Sequence, residues 1–357
     1  MKGINRKEGQ LFIDDVSLND ITKKFGTPVY VYSANKLEEN LNNYLSSVRK
    51  EDKVCYSVKS NSNIHILSLL SALGSGFDVV SGNELRRCLE AGANPQNIVF
   101  SGVGKSKEEI RLAINKGIFS INIESEEELE RIIEISKDLK KQAECFIRIN
   151  PDLSSESHPY IQTGLKTSKF GVLKEKVDSM ARKASESGSV NLKGIASHVG
   201  SQIFDKELII ENLNLLIEIS TNLTKQGHDL RYLDLGGGLG ISYQEEEELK
   251  IDEVLPEIIS FLEPLSLNLI LEPGRSISGN AGILLSKVEY LKTTSDMNFA
   301  VIDSGMNDLL RPSLYEAWHD ISVIENKDKK ELLYKVVGPV CESGDTFGEE
   351  RLLSLDE

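Results

Sequence analysis

The sequence predicts a (β/α)8 barrel joined to a second, mainly β domain built from both chain ends. Three observations carry this. Short β-type runs alternate with helical stretches through eight units between about residues 53 and 280. After about residue 281 the chain turns to β-type runs and turns with little helix, and the first 30 residues share that character. Strands that alternate with helices imply crossover connections and parallel pairing, and eight such units fit a closed barrel better than an open sheet. The expected boundaries are 30–280 for the barrel and 1–29 plus 281–357 for the β-domain.

The expected barrel strands are 53–58, 77–80, 97–101, 118–123, 144–149, 192–197, 231–235 and 267–271. Each is a short apolar run rich in β-branched or aromatic residues. Helices are expected at 64–73, 107–115, 126–139, 174–187 and 206–225, where the apolar residues recur at helical spacing. In the β-domain, runs at 10–13, 28–32, 282–291, 298–303, 320–325 and 331–337 read as strands. No internal repeat and no low-complexity linker separates the two parts.

Composition narrows the function. With 357 residues, 39% hydrophobic and 27% charged, this is an ordinary globular chain. A disordered protein and a small disulfide scaffold are excluded. The net charge of −15 argues against nucleic acid or an anionic membrane as partner, and leaves room for a local basic pocket holding an anionic small molecule. The acidic runs 126–128 and 245–248 read as solvated faces. No apolar signal core follows Met1-Lys2-Gly3-Ile4, and no stretch approaches the roughly 18 apolar residues of a membrane helix. Cys55, Cys88, Cys145 and Cys341 form no C-x-x-C pair, so no metal site and no disulfide framework is expected. A reducing, cytoplasmic setting fits.

Reactive groups of such barrels sit on loops at the carboxyl ends of the strands, and polar residues collect there. Lys59 follows the first strand, Asp78 and Ser81 end the second, and His198 follows the sixth. Gly236-Gly237-Gly238 follows the seventh, and Glu272-Pro273-Gly274-Arg275 the eighth. A lysine after a strand is usually a solvated charge. At a barrel mouth it is expected to be partly desolvated, with a lowered pKa, and able to form a Schiff base with an aldehyde. Pyridoxal phosphate is the commonest protein-bound aldehyde using that chemistry. Three successive glycines bare their N–H groups and suit a phosphate, although a tight βα turn needs glycine too. Glu272 with Arg275 reads either as a structural ion pair or as a carboxylate beside a pyridine nitrogen. His198 is a structural histidine or one stacked on an aromatic cofactor.

These residues resemble one family. YSVKSN at 56–61, GSGFDVVSGNEL at 74–85, SHVGSQI at 197–203, LDLGGGLGISY at 233–243, EPGRSI at 272–277, DSGMNDLLRPSLYEAWH at 303–319 and GPVCESGD at 338–345 look like diaminopimelate decarboxylase. The motifs fall in that family's order across nearly the whole chain. The resemblance implies a pyridoxal-phosphate enzyme with an alanine-racemase-type barrel, which converts meso-2,6-diaminopimelate to L-lysine and carbon dioxide, the last step of lysine biosynthesis. By resemblance Lys59 is the Schiff-base lysine and His198 stacks on the ring. Gly236, Gly237 and Gly238, with Glu272, Pro273, Gly274 and Arg275, resemble the phosphate-binding loops, and Glu272 the partner of the pyridine nitrogen. Asp78 and Ser201 resemble supporting cofactor contacts. Arg275, Arg311 and Tyr315 resemble the grip on the distal end of the substrate. Cys341 resembles the general acid, with Glu342 on the distal amino group. In this family the last two enter the neighbouring subunit's site, which implies a homodimer with shared active sites.

Other readings stay open. Decarboxylases of this fold also act on carboxynorspermidine, arginine or ornithine, and a non-catalytic cofactor-binding protein is a further reading. Glu342 after Cys341, where ornithine-type enzymes tend to carry Asp, points to diaminopimelate. Relatives in this family continue some tens of residues past the motif at 338–345, with further strands and a Gly-Ala-Tyr motif. This chain ends at Glu357, so an incomplete β-domain with unpaired strand edges is expected.

Overall fold

The computed structural model describes residues 3–153, 168–325 and 330–355. The chain opens with β1 (Ile4–Lys7), β2 (Gln10–Ile13), β3 (Val16–Ser17), α1 (Leu18–Phe25), β4 (Val29–Tyr32) and α2 (Ala34–Leu45). Next come β5 (Lys53–Ser57), α3 (Ile64–Ala72), β6 (Gly76–Val79), α4 (Gly82–Glu90), β7 (Ile98–Phe100) and α5 (Lys107–Lys116). The alternation goes on with β8 (Ser120–Ile123), α6 (Glu126–Leu139), β9 (Ala143–Ile149), α7 (Lys174–Ser187), β10 (Val190–Ser197) and α8 (Lys206–Lys225). It ends with β11 (Tyr232–Asp234), α9 (Ile251–Leu262), β12 (Asn268–Leu271) and α10 (Arg275–Ser278). Beyond lie β13 (Gly282–Leu285), β14 (Val288–Thr293), β15 (Asn298–Ile302), α11 (Arg311–Tyr315), β16 (Leu332–Val337) and β17 (Thr346–Leu353).

Two compact units result. One is Leu37–Ile241 with Glu247–Gly279; the other is the described part of Met1–Lys36, Ser242–Glu246 and Asn280–Glu357. In the first, β5 through β12 pair in sequence order, all parallel, and β12 returns to β5, so the barrel is closed. The closing seam has only two register pairs, Ile270↔Lys53 and Leu271↔Val54. Side chains reinforce it. Asp52 Oδ1 accepts the Leu269 N–H at 2.7 Å, and Arg49 Nη2 donates to Leu267 O at 2.8 Å and to Asp52 Oδ1 at 2.7 Å.

The helices begin where the sequence supplies caps. Ser106 and Glu109 form a reciprocal capping box on α5, and Gly117 ends that helix in the left-handed region at φ 61°. Ser125 caps α6, whose first turn carries Glu126, Glu127 and Glu128 at the positive end of the helix dipole. The expectation that 126–128 is a solvated face fails at Glu128. That residue is buried, bonds the Glu124 N–H through Oε2, and pairs with Lys105 Nζ at 2.8 Å.

The barrel interior is built in two steps. A buried apolar layer comprises Cys55, Val99, Phe119, Phe146, Ala196 and Ile270, with Tyr232 against it. Phe119 and Tyr232 meet edge to face, with centroids 5.0 Å apart. Side chains on a strand return to the same face every second residue. Two residues beyond this level the same strands carry polar groups: Ser57, Asp78, Ser101, Asn122, Arg148, His198, Asp234 and Glu272. Six strands step from an apolar residue to a polar one. The second carries Gly76, where an added Cβ would lie 2.8 Å from Cys55 Sγ, and the fourth carries Ser120.

The other unit holds a three-stranded antiparallel sheet (β1-β2-β3), the antiparallel pair β13-β4, and a four-stranded sheet β14-β15-β16-β17. In the last, β15 and β16 run parallel and the outer pairs antiparallel. Two apolar clusters fill it, one around Ile13, Leu18 and Leu285, the other around Ala300, Tyr334, Val336, Phe347 and Leu353. Two expectations need correction. The run 282–291 is two strands, β13 and β14, with Ser286 and Lys287 between them. The run 320–325 is irregular apart from an isolated bridge Gln10↔Glu325, because Ile321 and Val323 pack on the four-stranded sheet instead of pairing with it. Strand β17 was not expected. Among the described residues no helix is long and apolar enough to cross a membrane.

Candidate active site at the carboxyl end of the barrel

Lys59 lies in a single 3-10 turn, Val58–Ser60, that follows β5 directly. Its Nζ stands 2.8 Å from Asp78 Oδ2, which also accepts the Ser57 hydroxyl at 2.8 Å. The Lys59 side chain is 49% exposed, while Asp78 is wholly buried. Desolvation works to lower the Lys59 pKa, but Asp78 and Glu272 outweigh it, and the pKa stands above its ordinary value. The expected lowering is therefore corrected. The cause is Asp78, brought from the neighbouring strand. Burial works to raise Asp78, but the Lys59 charge and the bonds from Lys59 and Ser57 hold its carboxyl below the usual range. Its second oxygen, Oδ1, is buried without a hydrogen-bond partner.

Asp234 and Glu272 lie at the ends of adjacent strands, and both are buried. Burial drives Glu272 well above the usual carboxylate range, and the charges of Asp234 and Asp78 add to it. Burial also pushes Asp234 up, to about 6, against the bond from the Gly236 N–H. Donors surround the pair. Ser101 Oγ donates to Glu272 Oε1 at 3.4 Å, and Asn122 Nδ2 donates to Ser101 Oγ at 3.1 Å and to Asp234 Oδ2 at 3.4 Å. Asp234 Oδ1 accepts the Gly236 N–H at 2.9 Å, which ties the carboxylate layer to the glycine loop.

The three glycines are required by close approach. A Cβ on Gly237 would fall 2.0 Å from Glu272 O, and one on Gly238 2.1 Å from Gly200 O. Gly236 and Gly238 also hold φ at 68° and 104°, which side chains rarely adopt. Gly237 N–H donates to His198 Nδ1 at 3.2 Å, and Glu272 N–H to Gly236 O at 2.7 Å. His198 is driven down to about 3 by desolvation and by the charges of Arg148 and Lys59. It is a neutral imidazole, and its Nδ1 accepts the Gly237 N–H. Arg148 is committed to Glu124, with Nη1 2.6 Å from Oε1.

The remaining expected residues are divided between the two units. Pro273 O accepts the Ser57 N–H at 2.9 Å, and a Cβ on Gly274 would stand 3.1 Å from Ser57 Cβ. Arg275 opens α10. Ser201 follows Gly200, and Gln202 clamps Ile241 through Nε2 to its carbonyl (3.0 Å) and Oε1 to its N–H (3.1 Å). Arg311, Tyr315, Cys341 and Glu342 belong to the other unit. There the Arg311 guanidinium lies over the rings of Tyr243 (5.1 Å to the centroid) and Tyr315 (5.6 Å). Cys341 and Glu342 are exposed on a loop held by buried Asp345, which accepts Met306 N–H at 2.6 Å and Val340 N–H at 2.7 Å. The structure thus gathers eleven of the expected residues in the barrel unit and these four in the second.

Sequence reasoning missed Ser57, Ser101, Asn122, Arg148, Asp234, Tyr243 and Asp345. A signal for the first five was present: each stands two residues beyond an inward-facing position near the end of its strand. Tyr243 and Asp345 lie inside quoted motifs but carried no role.

Comparison with known proteins agrees with this geometry. Residues 34–279 match the family model described as pyridoxal-dependent decarboxylase, pyridoxal binding domain. A diaminopimelate decarboxylase of Pseudomonas aeruginosa is 40% identical over 358 residues, covering 100% of this chain and 86% of that protein. One of Aquifex aeolicus is 42% identical, covering 97% of this chain and 82% of its own length. The crystal structure of diaminopimelate decarboxylase from Helicobacter pylori complexed with L-lysine superposes with a TM-score of 0.91 at 42% identity, over 95% of this chain and 85% of that one. With such identity from end to end, and a family model matched over more than half its length, this chain belongs to the pyridoxal-dependent decarboxylases, within the diaminopimelate decarboxylase family.

Proposed function

We propose that the chain removes carbon dioxide from meso-diaminopimelate to give L-lysine, with pyridoxal phosphate held at the barrel rim. The observation that carries this is the joint placement of Lys59, the glycine loop and Glu272 on one barrel end, in a chain of this family. The residues fit the cofactor. Asp78 Oδ1 is a buried polar atom without a partner, and the loop is a cradle that any Cβ would fill. Lys59 would bond the aldehyde carbon, Gly236 to Gly238 and the 272–275 segment would hold the phosphate, and Glu272 would face the ring nitrogen. His198, Asp78 and Ser201 would support the ring. When bound, pyridoxal phosphate supplies the electron sink for the bond broken at the α-carbon.

The chain's own groups supply the rest. Asp78 keeps Lys59 as an ammonium whenever that amine is free. Neutral His198 offers an uncharged face. Arg275 and Arg311, with Tyr315, receive the distal carboxylate, and Glu342 the distal ammonium. The Cys341 thiol gives the α-carbon the proton that replaces the lost carboxylate. Exposure of Cys341 and Glu342 supports their entry into the site of a second copy of this chain, as a homodimer. The domains act as 30–280 for cofactor and 1–29 with 281–357 for Arg311, Tyr315, Cys341 and Glu342, and a reducing cytoplasm keeps Cys341 a thiol. Purified protein reloaded with pyridoxal phosphate is tested for carbon dioxide release from meso-diaminopimelate, ornithine, arginine and carboxynorspermidine. Release from diaminopimelate is expected; turnover of another member of the panel without it overturns the proposal.

A further inference from the structure

Arg311 is a cation held by rings and not by an anion. Among the described residues its guanidinium makes no hydrogen bond and no ion pair, and Nε is buried without a partner. Two ring faces fix it: Tyr243, whose centroid lies 5.1 Å from the guanidinium carbon, and Tyr315, at 5.6 Å. A cation over an aromatic face is attracted by the ring quadrupole, and that contact leaves the N–H edge of the fork open to an acceptor. The two rings differ in what they tie Arg311 to. Tyr315 closes the same five-residue helix, four residues on, so it moves with Arg311. Tyr243 comes from a turn far away in the sequence, five residues past Gly238. That turn is built to present its ring. Glu246 Oε2 accepts the Ser242 hydroxyl at 3.2 Å, the Tyr243 N–H at 2.9 Å and the Gln244 N–H at 2.8 Å. His319 meets the Tyr243 ring edge-on, with centroids 5.2 Å apart and planes at 80°. Ser242–Glu246, α11 and His319 all belong to the second unit.

We propose that Tyr243 is a positioning residue whose ring face sets the Arg311 guanidinium, before substrate arrives, in the pose that receives the distal carboxylate, and so favours substrates that carry one. This rests on the assignment of Arg311 to that carboxylate made above. A free arginine side chain has much rotamer freedom to lose. Fixed in advance between two rings, it loses little more when a carboxylate binds, so more of the attraction between the charges appears as affinity. An aliphatic side chain at position 243 would fill the space and leave the guanidinium loose. A phenylalanine would keep the face.

Holoenzyme is assayed as wild type, Tyr243→Phe, Tyr243→Leu and Arg311→Met. The readouts are KM and kcat for meso-diaminopimelate, and inhibition by two probes: L-lysine, which keeps the distal carboxylate, and pentane-1,5-diamine, which has the same chain and amines without it. Tyr243→Leu is expected to weaken L-lysine inhibition about 3- to 30-fold and to raise KM alike, with kcat and diamine inhibition as in wild type. Tyr243→Phe is expected to match wild type. Equal L-lysine inhibition in Tyr243→Leu and wild type, or an equal loss for the diamine, overturns the proposal. So does a Tyr243→Phe protein as impaired as Tyr243→Leu, since the hydroxyl and not the face would then be the agent. Should Tyr243→Leu fail to fold, pentafluorophenylalanine at position 243 decides, because it keeps the ring's shape and inverts its quadrupole. Weaker L-lysine inhibition than in Tyr243→Phe is expected, and equal inhibition overturns the proposal. Arg311→Met tests the underlying assignment separately: unchanged KM and L-lysine inhibition would remove Arg311 from the distal carboxylate, whatever the Tyr243 result.

Discussion

Replacement of Gly237 by Ala tests whether the loop is a cradle by necessity. The new Cβ would fall 2.0 Å from Glu272 O and 2.8 Å from its carbonyl carbon, against an ordinary contact of at least 3.4 Å. The two strand ends must therefore part by about 1.4 Å. Their coupling is stiff: Glu272 N–H donates to Gly236 O at 2.7 Å, and Gly237 N–H to His198 at 3.2 Å. Overpacking of this kind costs about 1–3 kcal/mol, and each 1.4 kcal/mol or so is tenfold in affinity. Cofactor binding should weaken about 10- to 100-fold, with a fall in melting temperature of the apoprotein. Gly104→Ala is the control, because nothing lies within 4 Å of its added Cβ, and its stability should stay within about 0.5 kcal/mol of wild type. The assay is absorbance titration with pyridoxal phosphate beside thermal unfolding. A Gly237→Ala protein that binds and melts like wild type refutes the steric argument.

Further outcomes follow from other residues. Lys59→Ala should lose the visible absorbance of lysine-bound pyridoxal phosphate; a retained band would remove the covalent assignment. His198, ordinarily near 6.5, is held down to about 3. The native state then binds fewer protons than the unfolded chain between those values, so stability is full above pH 6.5 and is lost as pH falls towards 3. Relative to His198→Gln, wild-type apoprotein should lose on the order of 3 kcal/mol across that range, and a constant difference in melting temperature would contradict it. Asp345→Ala strips two N–H groups of their charged acceptor, so the Met306 and Val340 amides should exchange faster with solvent and activity should fall while cofactor absorbance persists. Cys341→Ala should bind cofactor normally and slow lysine release; unchanged turnover would remove the thiol from proton delivery.

Much of the barrel was legible because its signals are local. The apolar spacing of 126–139, 174–187 and 206–225 places α6, α7 and α8 at the observed bounds. The glycine loop and Lys59 were visible for the same reason: each is distinctive within a few residues. The carboxylate floor was not, since Ser101, Asn122 and Asp234 are ordinary residues until closure brings their strands around one axis. The Lys59 pKa shows the same limit. Its position after an apolar strand pointed to desolvation, but the deciding charge sits on β6. In the second unit, Ile321 and Val323 have the composition of a strand, yet their apolar side chains are used to cover a sheet and their backbone pairs with nothing regular.

The narrow seam between β5 and β12 has a consequence for synthesis. Those strands are separated by more than two hundred residues of chain, so the ribosome finishes seven strands before the last can seal the cylinder. Until then the nascent protein carries an open parallel edge, the kind of long-range pairing that closes slowly and attracts chaperones. Once sealed, the two-pair junction with its Arg49–Asp52 latch is where the finished cylinder should breathe first.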